Sequence, residues 1–262
     1  KSIPQLGLEF SQILSSRIRK RVKGTKSIFE STIISIYSPI KGTGSSTYGI
    51  NLALSLEKET KKKVILVTIN SQQKLSSSPK TSVGYETAPH WKTFPIELSR
   101  IIEDYDQIVA HIIRNDLKID LINVVLDSDD ASAKKQISPF ISALGGDYHH
   151  VVVDLPNDMD SVVLETLTQS DRVHLLTSDR RKDLELIKGV INQLQGRLKE
   201  NFKQDRLKVI VKASNEKIHY ALEEINQFIN YAVYRTLPHI QPEQLQIDVN
   251  SIHLQFYRAH ER

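Results

Sequence analysis

The chain has 262 residues, of which 39% are hydrophobic and 25% charged, with a formal net charge of +4. This composition is typical of a globular protein with room for one large core. The absence of cysteine excludes disulfides, thiol catalysis and cysteine-based metal sites, and no apolar run reaches the length of a transmembrane helix. With no signal peptide either, we expect a cytoplasmic protein, and the non-Met start predicts a fragment of a longer chain.

The positive charge is concentrated at the start of the chain. Residues 1–26 contain seven Lys or Arg and the single acid Glu9, a net of +6, so the rest sums to −2. The main body is therefore not a basic nucleic-acid-binding domain, and we expect no specific nucleic-acid partner. The segment Arg17–Lys26 could contact anionic lipid, nucleic acid or an acidic protein. Because no aromatic residue interleaves these charges, we favour a solvated linker over membrane contact.

Apolar, β-branched runs alternate with helical patterns through the rest of the chain. Predicted strands are Thr32–Tyr37, Lys63–Ile69, Ile119–Leu126, His149–Asp154, Arg172–Thr177, Leu207–Lys212 and Ala232–Arg235. Predicted helices are Gln5–Arg19, Ser46–Glu59, Ile96–Arg114, Ala133–Leu144, Met159–Thr168, Lys182–Glu200 and Lys217–Phe228. Several strands are continuously apolar, as expected when helices cover both faces. The pattern predicts an α/β fold: a doubly wound, mainly parallel central sheet with helices on both faces.

A glycine-containing loop joins the first predicted strand to the first helix of the main body. Gly42 and Gly44 lie in this loop, and the strand–loop–helix context is that of a phosphate-binding P-loop. A P-loop needs backbone N–H groups directed into a concavity and a lysine that neutralises the phosphates. Here Ser45 stands where the lysine belongs.

One long segment, Ser71–Pro95, has no clean period and is rich in Ser, Lys, Thr and Pro. It leaves the second strand at the end where open α/β sheets bind ligands. A lid or partner-binding loop and a disordered excursion are equally good interpretations.

Five motifs follow one another in the order of one known family. They are the glycine loop followed by Asn51-Leu52-Ala53, the strand Lys63–Val67, the run Tyr148–Pro156, the strand Asp171–Thr177, and the segment from Glu224 to Leu237-Pro238. Together they resemble the MinD/ParA class of deviant Walker-A ATPases from Ser31 to about Pro242. Within that class, the run Gly42–Thr47 is most similar to the CpaE branch, which is associated with pilus assembly.

The resemblance also shows where this chain departs from the family. The P-loop lysine falls on Ser45, and the signature lysine that reaches across a nucleotide-bound dimer falls on Ile40. The acidic motif after the second strand reads Thr68, Asn70 and Gln72, and the adenine-side Asn falls on Lys212. The resemblance implies a vestigial nucleotide site made of Lys41, Gly42, Thr43, Gly44, Ser45, Ser46, Thr47 and Asp154, in which Ser46 keeps the Mg²⁺-binding hydroxyl.

Other polar clusters carry weaker signals. Asp127, Asp129 and Asp130 could bind a hard cation, but capping of the helix that begins near Ala131 is the favoured interpretation. His149 and His150 could be metal ligands, but neighbouring strand residues face opposite sides and no third ligand is evident. We therefore predict no catalytic residue and no metal site.

We predict three regions: a basic N-terminal helix and linker over 1–30, a MinD/ParA-like domain over 31–242, and a tail over 243–262 that packs on the domain or leads to another one. The predicted function is a degenerate pseudo-ATPase, an interaction or regulatory module with protein partners. One alternative is a working ATPase that uses Lys41, and another is a regulatory domain in a multidomain sensor–effector protein. We expect no tightly bound cofactor; weak binding of ATP or ADP with Mg²⁺, or of phosphate, stays open, as does the oligomeric state.

Overall fold

The computed structural model describes residues 31–71, 96–97, 105–114, 118–126, 133–199, 204–215 and 219–239. The strands are β1 (Thr32–Tyr37), β2 (Val64–Ser71), β3 (Ile96–Glu97), β4 (Ile113–Arg114), β5 (Asp120–Leu126), β6 (His150–Asp154), β7 (Arg172–Ser178), β8 (Leu207–Lys212) and β9 (Val233–Leu237). The helices are α1 (Ser45–Thr60), α2 (Tyr105–Ala110), α3 (Ala133–Leu144), α4 (Ser161–Gln169), α5 (Arg181–Leu198) and α6 (Leu222–Ile229).

The strands of the described residues form one sheet in the order β3-β5-β2-β6-β1-β7-β8-β9, and β4 pairs with β5 outside this path. Pairing is parallel throughout, except that β4 runs antiparallel to β5. The parallel strands therefore share one edge where they all end, called here the carboxyl edge, and an opposite amino edge where they begin. The predicted doubly wound, mainly parallel α/β sheet is confirmed.

Two apolar layers cover the two faces of the sheet. Because successive strand residues point to opposite faces, Val152 of β6 packs with α1 while its neighbours Val151 and Val153 face the other layer. The layer on the α1 side includes Tyr48, Ala53 and Leu54 of that helix. The opposite layer is larger and takes its apolar side chains from α2 to α6. Helices on both faces are thus confirmed.

The prediction of one helix over Ile96–Arg114 was wrong. The structure has the short strand β3 at its start, helix α2 within it, and strand β4 at its end. β3 pairs with Val124 and Val125 of β5, and β4 pairs with the other end of the same strand. These long-range pairings override the helical pattern. The β-branched residues Ile112 and Ile113, which favour a strand over a helix, lie shortly after the end of α2 at Ala110.

Several other elements are shifted by local hydrogen bonds. Helix α4 begins at Ser161 because the Asp160 side chain accepts a hydrogen bond from Val163 N, at 2.7 Å, and caps it. Helix α6 begins at Leu222 rather than Lys217, since the buried Asp179 holds the backbone N–H of His219 outside the helix.

None of the helices in the described ranges combines the length and apolarity needed to cross a bilayer. Four predictions lie outside the described residues: the N-terminal helix and linker, nearly all of the Ser71–Pro95 segment, the cluster of Asp127, Asp129 and Asp130, and the C-terminal tail.

Candidate functional site

The glycine loop lies at the carboxyl edge, between β1 and α1. Gly42 and Gly44 have φ angles of 79° and 88°, in the left-handed region that side chains with a Cβ rarely adopt. Gly44 is also the N-cap of α1 and has no side chain to cap the helix. The two glycines thus make the tight turn that the sequence pattern predicts.

The first half of the loop is held by hydrogen bonds to its own backbone. The Ile40 carbonyl accepts hydrogen bonds from Ser38 Oγ at 3.1 Å and Thr43 Oγ1 at 3.2 Å. Ser38 Oγ in turn accepts a hydrogen bond from Ile40 N at 3.2 Å. Ser38 and Thr43 are both buried, so these bonds are shielded from water. The hydroxyls that shape the loop are therefore occupied within it.

Asn157 ties this loop to the segment that follows β6. Its Nδ2 donates to the carbonyls of Ser38, at 2.9 Å, and Ile40, at 3.2 Å. The Asn157 carbonyl accepts a hydrogen bond from the Tyr37 hydroxyl at 2.8 Å. Sequence reasoning missed Asn157, because its partners lie far away in the chain and no motif marks it.

The second half of the loop opens helix α1 and offers backbone N–H groups to an anion. The helix has no side-chain cap and no acidic residue in its first turn. Its initial N–H groups and its macrodipole therefore favour a negatively charged group. Ser45, Ser46 and Thr47 are half-buried around this position.

Lys41 precedes Gly42 at the exposed tip of the loop. Among the described residues, no carboxylate lies at ion-pair distance from its ammonium group. Its side chain is thus available to another group, while Ser45 supplies no charge.

Asp154 ends β6 and lies beneath α1. Its side chain is 3% exposed, and its register partners are Ile36 of β1 and Thr68 of β2. A Cβ built on Gly49 of α1 would come within 3.9 Å of the Asp154 Cβ, so helix and strand approach closely here. The structure thus brings Asp154 and the glycine loop to the same part of the carboxyl edge.

Uncharged side chains occupy the neighbouring end of β2. Thr68 and Asn70 are both buried, and Asn70 Nδ2 donates to Asn123 Oδ1 at 2.5 Å. This amide pair satisfies Asn70 with a partner on the adjacent strand β5. Lys212 ends β8 farther along the same edge, where burial lowers its pKa.

A buried polar cluster at the ends of β7 and β8 was also missed by sequence reasoning. Asp179 is fully buried and accepts hydrogen bonds from Ser214 N at 2.9 Å, His219 N at 2.8 Å and His219 Nδ1 at 2.9 Å. Burial alone would raise the pKa of Asp179, but these hydrogen bonds outweigh it and lower the pKa to about 2. The only sequence signals were polar residues directly after two strands.

A second buried pair joins α1 to β7. The Tyr48 hydroxyl and His174 Nδ1 are 2.8 Å apart, and both side chains are buried. Burial, with smaller effects from Arg172 and Lys208, lowers the pKa of His174 to about 4. His174 is therefore neutral at physiological pH.

The two adjacent histidines that sequence analysis discounted lie at the opposite edge of the sheet. His150 begins β6, and burial lowers the pKa of His149 and His150, with Lys62 adding to the effect on both. The structure does not bring them to the glycine loop.

A family model described as "AAA domain" matches residues 31–209, which is more than half of the chain. The chain belongs to this family. The MinD/ParA-type P-loop resemblance carried by the motifs is thereby confirmed. No curated protein matches the sequence significantly.

Solved structures with the same fold span almost the whole chain. A ParA family ATPase from Chlorobium tepidum TLS is 17% identical with a TM-score of 0.62, covering 89% of this chain and 93% of that one. The septum site-determining protein MinD of Pyrococcus horikoshii OT3, complexed with Mg-ADP, is 16% identical with a TM-score of 0.59, and 86% of each chain is covered. The MinC:MinD cell division protein complex of Aquifex aeolicus matches with the same identity, TM-score and coverage.

Proposed function

We propose that this chain is a degenerate MinD/ParA-type domain with little or no ATP hydrolysis, which serves as an interaction or regulatory module in a larger assembly. One observation carries the proposal: the glycine loop keeps its turn and its uncapped helix start, while Ser45 stands at the position of the phosphate lysine.

The missing lysine has an energetic consequence that can be estimated. A hydrogen bond to a charged group contributes about 1.5–3 kcal/mol, so its loss weakens triphosphate binding roughly tenfold to a hundredfold. The backbone N–H groups of α1 remain and support weak binding of phosphate, or of ATP or ADP with Mg²⁺ at Ser46. The residues present thus fit a phosphate group better than a complete nucleotide–metal complex.

The absence of the lysine and of the acidic residues should reduce the rate of ATP hydrolysis more than the affinity for ATP. Charge develops on the phosphate oxygens in the transition state, and a catalytic site needs cations nearby and a group that positions water. At the positions where the family has acidic residues, Thr68 and Asn70 are uncharged, and Asn70 is engaged by Asn123. Asp154 is the acidic residue that stays in place beneath α1.

Turnover of ATP by the purified protein tests the central claim. We expect phosphate release no faster than in a protein-free blank, and no change when Ser46 is replaced by Ala. Hydrolysis above the blank that disappears in Ser46→Ala, but persists in the control Ser161→Ala at the exposed start of α4, would overturn the proposal.

The alternative of a divergent ATPase is supported by Lys41 at the loop tip, whose ammonium group has no carboxylate at ion-pair distance within the described ranges. Calorimetric titration with ATP, ADP and sulfate separates the two functions. A degenerate site binds all three weakly and without preference, whereas a working site binds ATP more tightly than ADP. That preference should vanish in Lys41→Ala and survive in Lys182→Ala, which removes an exposed lysine on α5.

A nucleotide-driven dimer is not expected, because the signature lysine falls on Ile40. Sedimentation with and without ATP and Mg²⁺ should give the same mass, and a shift to dimer would contradict the proposal.

Protein partners are the proposed ligands of the module, and the Aquifex complex shows MinD, a protein of this fold, bound to MinC. The alternative of a regulatory domain between a sensor and an effector is tested by reading the full-length gene product.

A further inference from the structure

A cavity lies at the amino edge of the sheet, remote from the glycine loop. It has a volume of about 350 Å³ and is lined by the starts of β2, β5 and β6 together with α2 and β4. A strand of six residues spans roughly 20 Å, so this cavity and the loop are separate sites. Its volume is at the lower end of the range for small-molecule sites, roughly 300–1,000 Å³.

Three cations surround the entrance to this amino-edge cavity. Lys63 precedes β2, Arg114 belongs to β4, and Lys118 precedes β5; all three are exposed. Within the described part of the chain, none of them has a carboxylate at ion-pair distance. Arg114 is nevertheless close enough to the Tyr148 hydroxyl for its charge to act on the pKa of that group.

The interior of the cavity is more apolar than its entrance. Val64 is 1% exposed, Tyr148 is 5% exposed, and Val109 and Ile112 are half-buried. Such a lining accommodates the body of a small organic molecule.

Two carboxylates, Asp120 and Asp147, also line the cavity, and both are half-buried. Asp120 Oδ2 accepts a hydrogen bond from the Tyr148 hydroxyl at 2.6 Å. Asp147 also has an interaction of its own. Asp120 is also the register partner of Arg114 across β4 and β5. The two carboxylates thus offset part of the positive charge, and the lining keeps a net charge of +1 from its three cations and two acids.

We propose that the amino-edge cavity binds a small organic anion, with its apolar body against Val64 and Tyr148 and its phosphate or carboxylate group held by Lys63, Arg114 and Lys118. A charge-assisted hydrogen bond is roughly twice as strong as a neutral one, so the anionic group supplies most of the selectivity. The apolar body adds affinity in proportion to the area that it buries.

Phenyl phosphate is a suitable probe, because it combines a phosphate with a compact apolar body. Its titration into the full chain, followed by two-dimensional amide NMR, should give saturable shifts at residues 112–114, 118–121 and 147–148. Inorganic phosphate and benzyl alcohol, which each lack one half of the probe, should bind at least about tenfold more weakly. Equal binding of either half, or no saturation at all, would overturn the proposal.

Substitution of the lysines that line the cavity tests whether phenyl phosphate binds there. Lys63→Gln combined with Lys118→Gln should weaken phenyl phosphate binding by at least about tenfold, since two charge-assisted contacts are lost. Lys62→Gln is the matched control: Lys62 is equally exposed and adjacent in sequence, but it does not line the cavity. Both proteins should keep the thermal midpoint of the wild type.

Two results would contradict the assignment. One is a Lys62→Gln variant that binds as weakly as the double variant, which would indicate only a diffuse attraction to the three consecutive lysines at 61–63. The other is a set of shifts centred on residues 41–47, which would place phenyl phosphate on the glycine loop instead.

Discussion

The carboxyl and amino edges of the sheet differ in the charged side chains that they present. At the carboxyl edge, Ser45, Thr68 and Asn70 are uncharged at positions where the family resemblance calls for a lysine or acids. At the amino edge, Lys63 and Lys118 have no carboxylate at ion-pair distance among the described residues. These three carboxyl-edge positions offer no charge to a ligand, whereas the amino-edge cavity is lined by three cations.

The carboxyl edge also has polar groups that are already hydrogen-bonded within the protein. Three polar groups at the carboxyl edge are satisfied within the protein: the Ile40 carbonyl by three donors, Asn70 by Asn123, and Asp179 by Ser214 and His219. Such groups have little to gain from a bound molecule. These three groups therefore stabilise the fold of the carboxyl edge. The amino edge is the better candidate for binding a small anion.

The largest expected effect concerns the buried Asp179 at the carboxyl edge. Replacing Asp179 by Ala leaves the backbone N–H groups of Ser214 and His219 without their acceptor. We expect the free energy of unfolding to fall by about 4 kcal/mol, measured by urea denaturation. The exposed Asp205→Ala control should change it by less than about 0.5 kcal/mol.

The contribution of Asp179 to stability should also depend on pH in the acid range. Because the pKa of Asp179 is lowered from 3.8 to about 2, its stabilising contribution is complete above about pH 4 and is lost as the pH falls towards 2. Asp179→Ala should lack this component of the acid transition. An unchanged stability in the variant would show that the carboxyl edge does not depend on its internal hydrogen bonds.

A comparable effect is expected at His174, which is close enough to the amino-edge cations Arg172 and Lys208 for them to affect its pKa. Its folded-state pKa of about 4 lies below the ordinary value of 6.5, so the folded state favours the neutral ring. The stability that depends on this ring is therefore complete above about pH 6.5 and is lost progressively as the pH falls from 6.5 to about 4.

Between pH 7 and pH 4, the wild type should lose up to about 3 kcal/mol more than His174→Gln, measured by urea denaturation at each pH. Replacement of the exposed His111 by Gln should leave the wild-type profile unchanged. Identical profiles for all three proteins would mean that His174 is not held neutral between α1 and β7.

A smaller effect is expected when the missing charge is restored to the carboxyl edge. Ser45→Lys should raise the affinity for ATP about tenfold to a hundredfold, because it returns one charge-assisted contact to the loop. Turnover should stay at the blank level, since Thr68 and Asn70 are unchanged. Ser45→Met adds similar length without charge and is the calorimetric control; an equal gain in that variant would exclude charge as the cause.

Much of the fold could be predicted because its signals are local. The continuously apolar run Val151–Val153 indicated a strand buried on both faces, and it is fully buried between β1 and β2. The glycines at 42 and 44 likewise marked the turn before α1. The error over Ile96–Arg114 arose because β3 and β4 exist through pairing with β5, which no local pattern encodes.

The two edges could be predicted to different degrees for the same reason. The glycine loop is one continuous motif, so the sequence alone could locate it and could show that Ser45 stands at the position of the phosphate lysine. The amino-edge cavity is assembled from separate parts of the chain, and its cations look like ordinary surface residues in the sequence. Asn157 escaped detection because its contact with Ile40 spans 117 residues.

The smallest expected effect concerns that contact. Asn157→Ala removes two hydrogen bonds to the loop carbonyls, and we expect the free energy of unfolding to fall by about 1–2 kcal/mol. Amide exchange at residues 38 and 40–44 should become faster, while exchange at the amino edge stays as in the wild type. Replacement of the exposed Asn192 of α5 by Ala is the control and should leave loop exchange unchanged.

The loop measurement distinguishes two origins of its conformation. If Asn157 maintains the loop, its loss should loosen residues 38–44 locally, and phosphate should then restore part of their protection by binding the α1 N–H groups. If the glycines alone maintain the loop, Asn157→Ala should leave its exchange unchanged despite the lower stability. That second result would mean that the carboxyl edge does not need the segment after β6, and that its rigidity comes from the turn itself.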